Sequence, residues 1–253
     1  MSLSDVVLLF FAAVAGGALN SVAGGGSFFT FPALVFTGMP SIAANATSTM
    51  AVWPGSLASV VAYRDDVRAA RRHLPGLLVV SLLGGLVGAV VLMKTPQPVF
   101  DRLLPWLLLF ATAMFAFGQK FTVWLKRHEA PGAPGRIGAV SWMLQFLIAI
   151  YGGYFGGGMG LMMLAMLTLA GLTDIHEMNG LKTVLASALN AIALAAFVWA
   201  GLVQWPQASV MIVGAVLGGY GGARLAKQVN PTLVRSVVIV VGSLLTAWFF
   251  WRS

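Results

Sequence analysis

Apolar residues run along this chain in ten blocks, which are separated by short stretches rich in Gly, Pro or charged residues. Most blocks approach the ~20 residues that a helix needs to cross a hydrocarbon layer of ~30 Å. The pattern predicts an all-α integral membrane protein. Its apolar segments are Leu3–Val22, Phe28–Thr37, Ile42–Tyr63, Leu74–Met93, Leu103–Thr122, Ile137–Tyr154, Met159–Leu172, Leu181–Leu202, Ala208–Gly221 and Leu233–Trp251.

Two segments, Phe28–Thr37 and Met159–Leu172, are too short to cross the layer. A helix of ten residues rises only ~15 Å. Each short helix therefore stops near mid-membrane or continues a broken helix. Glycine runs precede both of them, at Gly24–Gly26 and at Gly156–Gly158. We predict that the segments Gly24–Ser27 and Gly156–Gly160 are non-helical at membrane depth and approach one another across a pseudo-two-fold axis.

Composition agrees with a membrane protein and excludes several other classes. Hydrophobic residues make up 59% of the chain and charged residues 9%, whereas a soluble domain carries ~25% charge. The 15 Lys and Arg outnumber the 7 Asp and Glu, but most of them lie between apolar runs and form no face for a nucleic-acid backbone. The chain has no Cys, which excludes disulfides and thiolate chemistry. We expect no nucleic-acid partner and no cofactor.

Basic residues concentrate in three connections, Arg64–Arg72, Lys120–Arg136 and Arg224–Arg235. The positive-inside rule places all three in the cytoplasm. The second connection contains a linker rich in Pro, Gly and charge. We therefore divide the chain into an N-terminal repeat at 1–125, a cytoplasmic linker at 126–136 and a C-terminal repeat at 137–253. The side of the N-terminus stays open.

The division into two repeats rests on three motifs that occur in both halves of the sequence in the same order. Gly24–Ser27 is repeated by Gly156–Met159, and Asn45–Thr49 by Asn179–Thr183, at offsets of 132 and 134 residues. The third repeated motif is a set of glycines spaced four residues apart, which lets helices approach closely. Its members are Gly84 and Gly88 in the first half and Gly214, Gly218 and Gly222 in the second. When all three basic connections are placed in the cytoplasm, counting the crossings between them makes corresponding segments of the two halves cross the membrane in opposite directions. Inverted repeats with interrupted helices are typical of secondary transporters.

The glycine runs and the repeated polar residues are the candidate binding site. Broken helices leave N–H groups that hydrocarbon cannot satisfy, and a helix N-terminus attracts anions. A charged Lys182 inside a membrane is energetically costly unless its ammonium forms an ion pair or faces a cavity, which makes it a candidate for binding an anion. Two alternatives explain it without a binding role: its ammonium reaches the cytoplasmic surface, or it pairs with Asp174 or Glu177. Trp53 lies about two turns beyond Asn45 and could line a pocket. The candidate substrate-binding residues are Gly24, Gly25, Gly26, Ser27, Asn45, Thr49, Trp53, Gly156, Gly157, Gly158, Asn179, Lys182 and Thr183.

A tight group of ionisable residues, Asp174, His176 and Glu177, is the candidate for proton coupling. Histidine titrates near neutral pH, so this group could relay a proton. A solvated turn would explain the same residues. The His-Glu pair lacks the second His of a zinc-protease motif, and no metal site is predicted.

The motifs together resemble the TauE/SafE family of sulfite and sulfonate permeases. The resemblance is carried by Gly17–Ser27, Pro32–Leu34, Ala44–Ser48, Gly152–Gly160 and Asn179–Thr183, and it covers nearly the whole chain. It implies transport of small sulfur-containing anions such as sulfite, sulfoacetate or aryl sulfonates. It also implies that the glycine turns and the Asn, Thr and Lys positions form the anion site.

The leading prediction is a multi-pass secondary transporter in the bacterial inner membrane. Its substrate is expected to be an organosulfonate, aromatic ones included, or sulfite. An anion channel shares every binding feature and differs in its kinetics. An integral membrane enzyme is the third alternative, although the chain has only three His, no Cys and few carboxylates that could act in catalysis. Besides the substrate, the expected partner is the lipid bilayer. A homodimer is possible, and the sequence does not decide whether it forms.

Overall fold

The computed structural model describes residues 1–22, 25–62, 68, 74–128, 138–172, 174–225 and 231–252. These residues include ten helices and no strand, which confirms the all-α class. The helices are α1 Leu3–Val22, α2 Ser27–Phe36, α3 Ser41–Ala62, α4 Leu74–Lys94, α5 Gln97–His128, α6 Ala139–Tyr154, α7 Met159–Leu169, α8 Ile175–Trp199, α9 Trp205–Leu225 and α10 Pro231–Arg252.

Five helices in the described ranges are long and apolar enough to cross a membrane, namely α1, α4, α5, α8 and α10. Helices α2 and α7 have only 10 and 11 residues. Both are largely buried inside the protein: Phe31 and Leu34 of α2 and Met163 and Leu167 of α7 are at most 1% exposed. The two short helices therefore form part of the core instead of a lipid-facing surface.

Helices α5 and α8 each begin six residues before the predicted apolar segment. Helix α5 begins at Gln97, six residues before the predicted Leu103, because hydropathy marks only the apolar part of a helix. Helix α8 begins at Ile175 because the Asp174 side chain accepts hydrogen bonds from the first N–H groups. It ends at Trp199, since Gly201 adopts a φ of 68° in a glycine-type helix stop.

Each major contact between a helix of the N-terminal half and one of the C-terminal half has a counterpart in which the corresponding helices of the two halves change places. Helix α1 packs on α9, and its counterpart α6 packs on α4. Helix α3 packs on α9, as α8 packs on α4, and α5 contacts α7 as α10 contacts α2. Each half therefore packs mainly against the other. The orientation of the halves relative to a membrane stays a prediction.

Glycines permit the closest of these contacts, as their spacing predicted. A methyl group on Gly88 of α4 would overlap the carbonyl oxygen of Ile150 on α6. One on Gly218 of α9 would overlap the carbonyl oxygen of Val14 on α1. The same close backbone approach thus occurs in both matched helix pairs.

Candidate functional site

The chain leaves the helical conformation at both glycine runs. Residues 25–26 separate α1 from α2 along the described chain, and residues 155–158 separate α6 from α7. Gly25 has a φ of 98° and Gly158 a φ of 75°; side chains other than glycine rarely adopt such angles. The breaks are present at Gly25–Gly26 and Gly156–Gly158, but the predicted segments were too long: Ser27 begins α2, and Met159 and Gly160 belong to α7, because the helix resumes directly after the last glycine. Gly24 lies outside the described residues. The depth of the breaks in a membrane stays a prediction.

A cavity of about 200 Å³ lies where the two breaks meet α3 and α8. The first break contributes Gly25 and the helix start Ser27, and the second contributes Gly156 and Gly158. The two breaks therefore share one space. That space far exceeds the roughly 10–15 Å³ that a single water needs, so it can hold a polyatomic ligand.

Helices α3 and α8 line the cavity with matching stripes. On α3 the stripe consists of Thr49, Val52 and Ser56, and on α8 of Thr183, Ala186 and Asn190. Both sets have the spacing i, i+3, i+7, which puts their members on one helix face. The α8 stripe continues for another turn, through Lys182 to Asn179.

Lys182 is the one charged side chain among the described residues that line the cavity. Its ammonium donates to Asn179 Oδ1 at 2.9 Å, and its stem lies beside Gly160 at the start of α7. Within the described chain no carboxylate is paired with it. An ammonium has three N–H donors, so two of them have no protein acceptor there.

The start of α7 adds backbone donors to the same cavity. Gly158 and Gly160 both line it, and no carbonyl of the described residues accepts from either N–H. The helix has no side-chain cap. A helix N-terminus carries a partial positive charge, which lies here beside Lys182.

Two predicted site residues, Asn45 and Trp53, do not line the cavity. The Asn45 amide donates from Nδ2 to the carbonyl oxygen of Tyr154 at 3.1 Å. Trp53 Nε1 donates to the carbonyl oxygen of Ser187, also at 3.1 Å. Both donors thus join the N-terminal half to the C-terminal half.

Two predicted glycines also lie outside the cavity lining. Gly26 is buried against the backbone of Gly16 on α1. The Gly157 carbonyl accepts from the Tyr151 hydroxyl at 2.7 Å. The other predicted binding residues in the described chain line the cavity, namely Gly25, Ser27, Thr49, Gly156, Gly158, Asn179, Lys182 and Thr183.

Asp174, His176 and Glu177 lie at the start of α8 and do not line the cavity. Asp174 Oδ1 accepts from the backbone N–H of His176 at 2.7 Å and of Glu177 at 3.3 Å. This is the arrangement of a helix N-cap. The carboxylate therefore has a structural partner, and its role in proton coupling stays a prediction.

Sequence reasoning missed three polar residues of the cavity, Asn20, Ser56 and Asn190. Asn20 Nδ2 lies 3.3 Å from Ser56 Oγ, within hydrogen-bond distance. A signal was present: Ser56 follows Thr49 by seven residues and Asn190 follows Thr183 by seven, so each pair shares a helix face. Asn20 is moreover a polar residue within an apolar helix.

Apolar side chains form another part of the cavity wall, including Phe115, Phe155 and Leu161. The Phe115 ring covers Gly25, where an added methyl group would come within 2.6 Å of it. Arg235 Nε holds the Phe115 backbone by donating to its carbonyl oxygen at 2.7 Å. The cavity is thus amphipathic, with hydrogen-bond donors and aromatic rings around the same space.

Comparison with known proteins identifies the family of this chain. The family model described as "Sulfite exporter TauE/SafE" matches residues 9–249. The chain belongs to the TauE/SafE family. No match was found among solved structures.

Curated relatives of this TauE/SafE chain are named as transporters. A probable membrane transporter protein of Haemophilus influenzae is 27% identical over 248 residues, covering 96% of this chain and 93% of the relative. The probable membrane transporter protein YfcA of Escherichia coli strain K12 is 27% identical, with 97% and 90% covered. The probable membrane transporter protein ORF9 of a Sinorhizobium species is 28% identical, with 93% and 88% covered.

These matches and the five candidate spans identify the chain as a multi-pass membrane transporter. A bacterial inner membrane is consistent with the relatives from E. coli and H. influenzae. The names of these relatives specify no substrate.

Proposed function

We propose that this protein is a secondary transporter whose substrate is an organosulfonate, bound in the cavity between the two glycine breaks. The observation that carries the proposal is Lys182, the single charged side chain among the described lining residues. A positive charge without a carboxylate partner favours an anion. Sulfite, which has the same kind of oxygen acceptors, is the smaller substrate of the same class.

The donors around Lys182 suit a head group with several oxygens. A sulfonate spreads one negative charge over three oxygens, so it gains more from several convergent donors than from one strong base. The ammonium of Lys182, the N–H groups of Gly158 and Gly160 and the hydroxyl of Thr183 can supply such a set. Hydrogen bonds to charged groups contribute ~1.5–3 kcal/mol each.

The apolar wall favours an organic substrate over bare sulfite. Phe115, Phe155 and Leu161 present surface that an inorganic oxyanion cannot use. Burial of apolar area contributes roughly 25 cal/mol per Å², so a hydrocarbon tail against these side chains adds affinity. A planar aromatic tail also suits the faces and edges of the two phenylalanine rings.

A binding screen on purified protein tests the substrate class. Thermal shift is measured with sulfite, sulfate, taurine, sulfoacetate and benzenesulfonate. We expect stabilisation by the sulfonates, largest for benzenesulfonate, because a ligand that binds only the folded state stabilises it by mass action. Sulfate tests whether any oxyanion suffices.

The matched variants for this screen are Lys182→Gln and Lys94→Gln. Lys94 is an exposed residue at the end of α4 and does not line the cavity. We expect Lys182→Gln to weaken benzenesulfonate binding by about tenfold or more, and Lys94→Gln to bind as the wild type does. Absence of binding by every sulfonate to the wild type, or unchanged binding by Lys182→Gln, contradicts the proposal.

A further inference from the structure

A second cavity, with a volume of about 430 Å³, lies at the ends of four helices. Its walls come from the end of α2, the start of α3, the start of α5 and the end of α10. It shares no described lining residue with the cavity that contains Lys182. The basic connections 64–72, 120–136 and 224–235 lie at the opposite ends of α3, α5 and α10. The predicted topology therefore places this second cavity on the outer side, and we call it the outer cavity.

Two opposite charges line the outer cavity, the carboxylate of Asp101 on α5 and the guanidinium of Arg252 on α10. No ion pair joins them to one another. A purely anionic ligand would be repelled by Asp101, and a purely cationic one by Arg252. A space with both charges on its walls instead complements a zwitterion.

The Asp101 carboxylate is held in place through only one of its two oxygens. Oδ1 accepts from the hydroxyl of Ser41, which is 5% exposed, and from Gln97 Nε2 at 3.0 Å. Gln97 Nε2 also lies 2.7 Å from Ser41 Oγ, to which it donates. These contacts fix the carboxylate against the start of α3. Oδ2 has no partner in the described part of the chain, so it can accept from a ligand.

The Arg252 guanidinium is held by an aromatic ring and not by an acceptor. Its central carbon lies over the Trp248 ring, 5.1 Å from the ring centre. A cation–π contact leaves the N–H groups of a guanidinium available, and no described residue accepts from them. Guanidinium groups bind phosphate oxygens through two parallel hydrogen bonds. Arg252 therefore suits the anionic part of a zwitterion.

Exposed aromatic side chains near the outer cavity favour a lipid over a soluble zwitterion. Trp106 of α5 is 61% exposed and Phe250 of α10 is 40% exposed, and their rings meet edge to face with centres 5.1 Å apart. Trp251, at the end of α10, is 91% exposed. Tryptophans at the ends of membrane helices typically lie at the level of the lipid headgroups. Acyl chains can then follow the exposed apolar side chains of α5 and α10, such as Phe110 and Leu244.

We propose that the outer cavity binds the headgroup of one phosphatidylethanolamine molecule. The phosphate accepts hydrogen bonds from the Arg252 guanidinium, and the primary ammonium donates to Asp101 Oδ2. Both charges of this headgroup lie within one short chain, so it can meet the two side chains at once. The bound lipid joins α5 of the N-terminal half to α10 of the C-terminal half. The site is independent of which anion the transporter carries.

The ammonium contact makes the site selective among phospholipids. The quaternary ammonium of phosphatidylcholine has the same charge but no N–H group to donate to Asp101. Phosphatidylglycerol has the phosphate but no positive charge, so it leaves Asp101 without a counter-ion. Phosphatidylethanolamine is therefore expected to bind better than either.

Native mass spectrometry of the purified protein in detergent tests this selectivity. Equal amounts of the three phospholipids, with identical acyl chains, compete for the wild type. We expect about tenfold more bound phosphatidylethanolamine than phosphatidylcholine, because one charge-assisted hydrogen bond distinguishes them. Soluble phosphoethanolamine is measured separately. We expect it to bind at least about tenfold more weakly than the lipid, since it has no acyl chains to bury.

Two variants and a matched control separate the contributions of the two charges. Asp101→Asn keeps an Oδ1 acceptor for Ser41 and Gln97 but removes the charge, and we expect it to bind phosphatidylethanolamine and phosphatidylcholine within about twofold of each other. Arg252→Gln should lower the binding of both lipids by about tenfold, because the phosphate loses its guanidinium. Arg102→Gln is the control. Arg102 is exposed, follows Asp101 in the sequence and does not line the outer cavity, so its lipid binding should equal that of the wild type.

Several outcomes would overturn the proposal. Equal binding of phosphatidylethanolamine and phosphatidylcholine by the wild type does so, and this comparison decides the question even if a variant does not fold. A tenfold preference that survives Asp101→Asn also does so. If phosphoethanolamine binds as tightly as the lipid, the ligand is a soluble zwitterion and the lipid assignment is wrong. None of these outcomes bears on the sulfonate proposal, which is tested at Lys182.

Discussion

Asn45 of α3 and Asn179 of α8 occupy corresponding positions in the two halves, yet their amides serve different ends. Asn45 donates to the carbonyl of Tyr154 and is 3% exposed. Asn179 lines the cavity and accepts from Lys182. One residue of the pair joins the halves, and the other lies in the proposed site.

The neighbours of the two asparagines differ in the same way. Ser48 corresponds to Lys182, and its hydroxyl shares a hydrogen bond of 2.6 Å with Thr30 of α2. Thr47 accepts from the backbone N–H of Gln204, just before α9. At these positions the first half uses its polar side chains for contacts within the protein, while the second presents Asn179 and Lys182 to the cavity. A repeated framework can keep its geometry while only one copy carries the charge.

The largest expected effect tests the shared framework. Gly88→Ala and Gly218→Ala each add a methyl group that overlaps a backbone carbonyl of the partner helix. We expect each to lower the free energy of unfolding by about 1–3 kcal/mol, the usual range for overpacking, and by similar amounts. Thermal unfolding in detergent measures this. Gly221→Ala is the control, since an added methyl group there meets no atom within 4 Å. A loss at only one of the two sites would contradict the matched packing.

The asparagine pair tests the division of roles. We expect Asn179→Ala to weaken benzenesulfonate binding by about tenfold, because Lys182 loses the acceptor that positions it. Asn45→Ala should instead lower the free energy of unfolding by about 1 kcal/mol, since the Tyr154 carbonyl loses its donor. Isothermal titration and thermal unfolding of both variants separate these outcomes. Equal losses of affinity would place Asn45 in the site after all.

The threonine pair gives the smallest expected effect. The Thr183 hydroxyl has no hydrogen-bond partner among the described residues, so it can donate to an anion. Thr49 already donates to the carbonyl of Asn45 at 2.9 Å and offers an anion only lone pairs. We expect Thr183→Val to raise the Kd for benzenesulfonate by roughly threefold to tenfold, and Thr49→Val to change it by less than about twofold. The reverse order would show that the α3 stripe holds the substrate.

Helix positions were largely predictable because apolar runs and their interruptions are local properties. The predicted Phe28–Thr37 is close to the observed Ser27–Phe36, and the predicted Leu74–Met93 is close to Leu74–Lys94. The predicted helix boundaries were wrong where a capping side chain sets the helix end, as Asp174 does at the start of α8. A cap is a single side chain and leaves little trace in hydropathy.

The site was predictable only in part, since its lining depends on contacts between the halves. Asn179, Lys182 and Thr183 could be recognised as polar residues in an apolar segment, and they line the cavity. Asn45 and Trp53 gave the same signal. Their acceptors are the carbonyls of Tyr154 and Ser187, more than a hundred residues away along the chain. Backbone carbonyls belong to every residue, so no sequence pattern identifies them.

The glycine-lined pairing of α1 with α9 has a consequence for biosynthesis. Helix α1 leaves the ribosome before α9, which follows roughly 200 residues later, or about 10–40 s at ordinary rates of synthesis. Until then the face of α1 that receives Gly218 is covered by lipid or by another protein. A nascent chain that stops before α9 therefore holds α1 without its partner, and this part of the tertiary fold can close only after α9 has been synthesised.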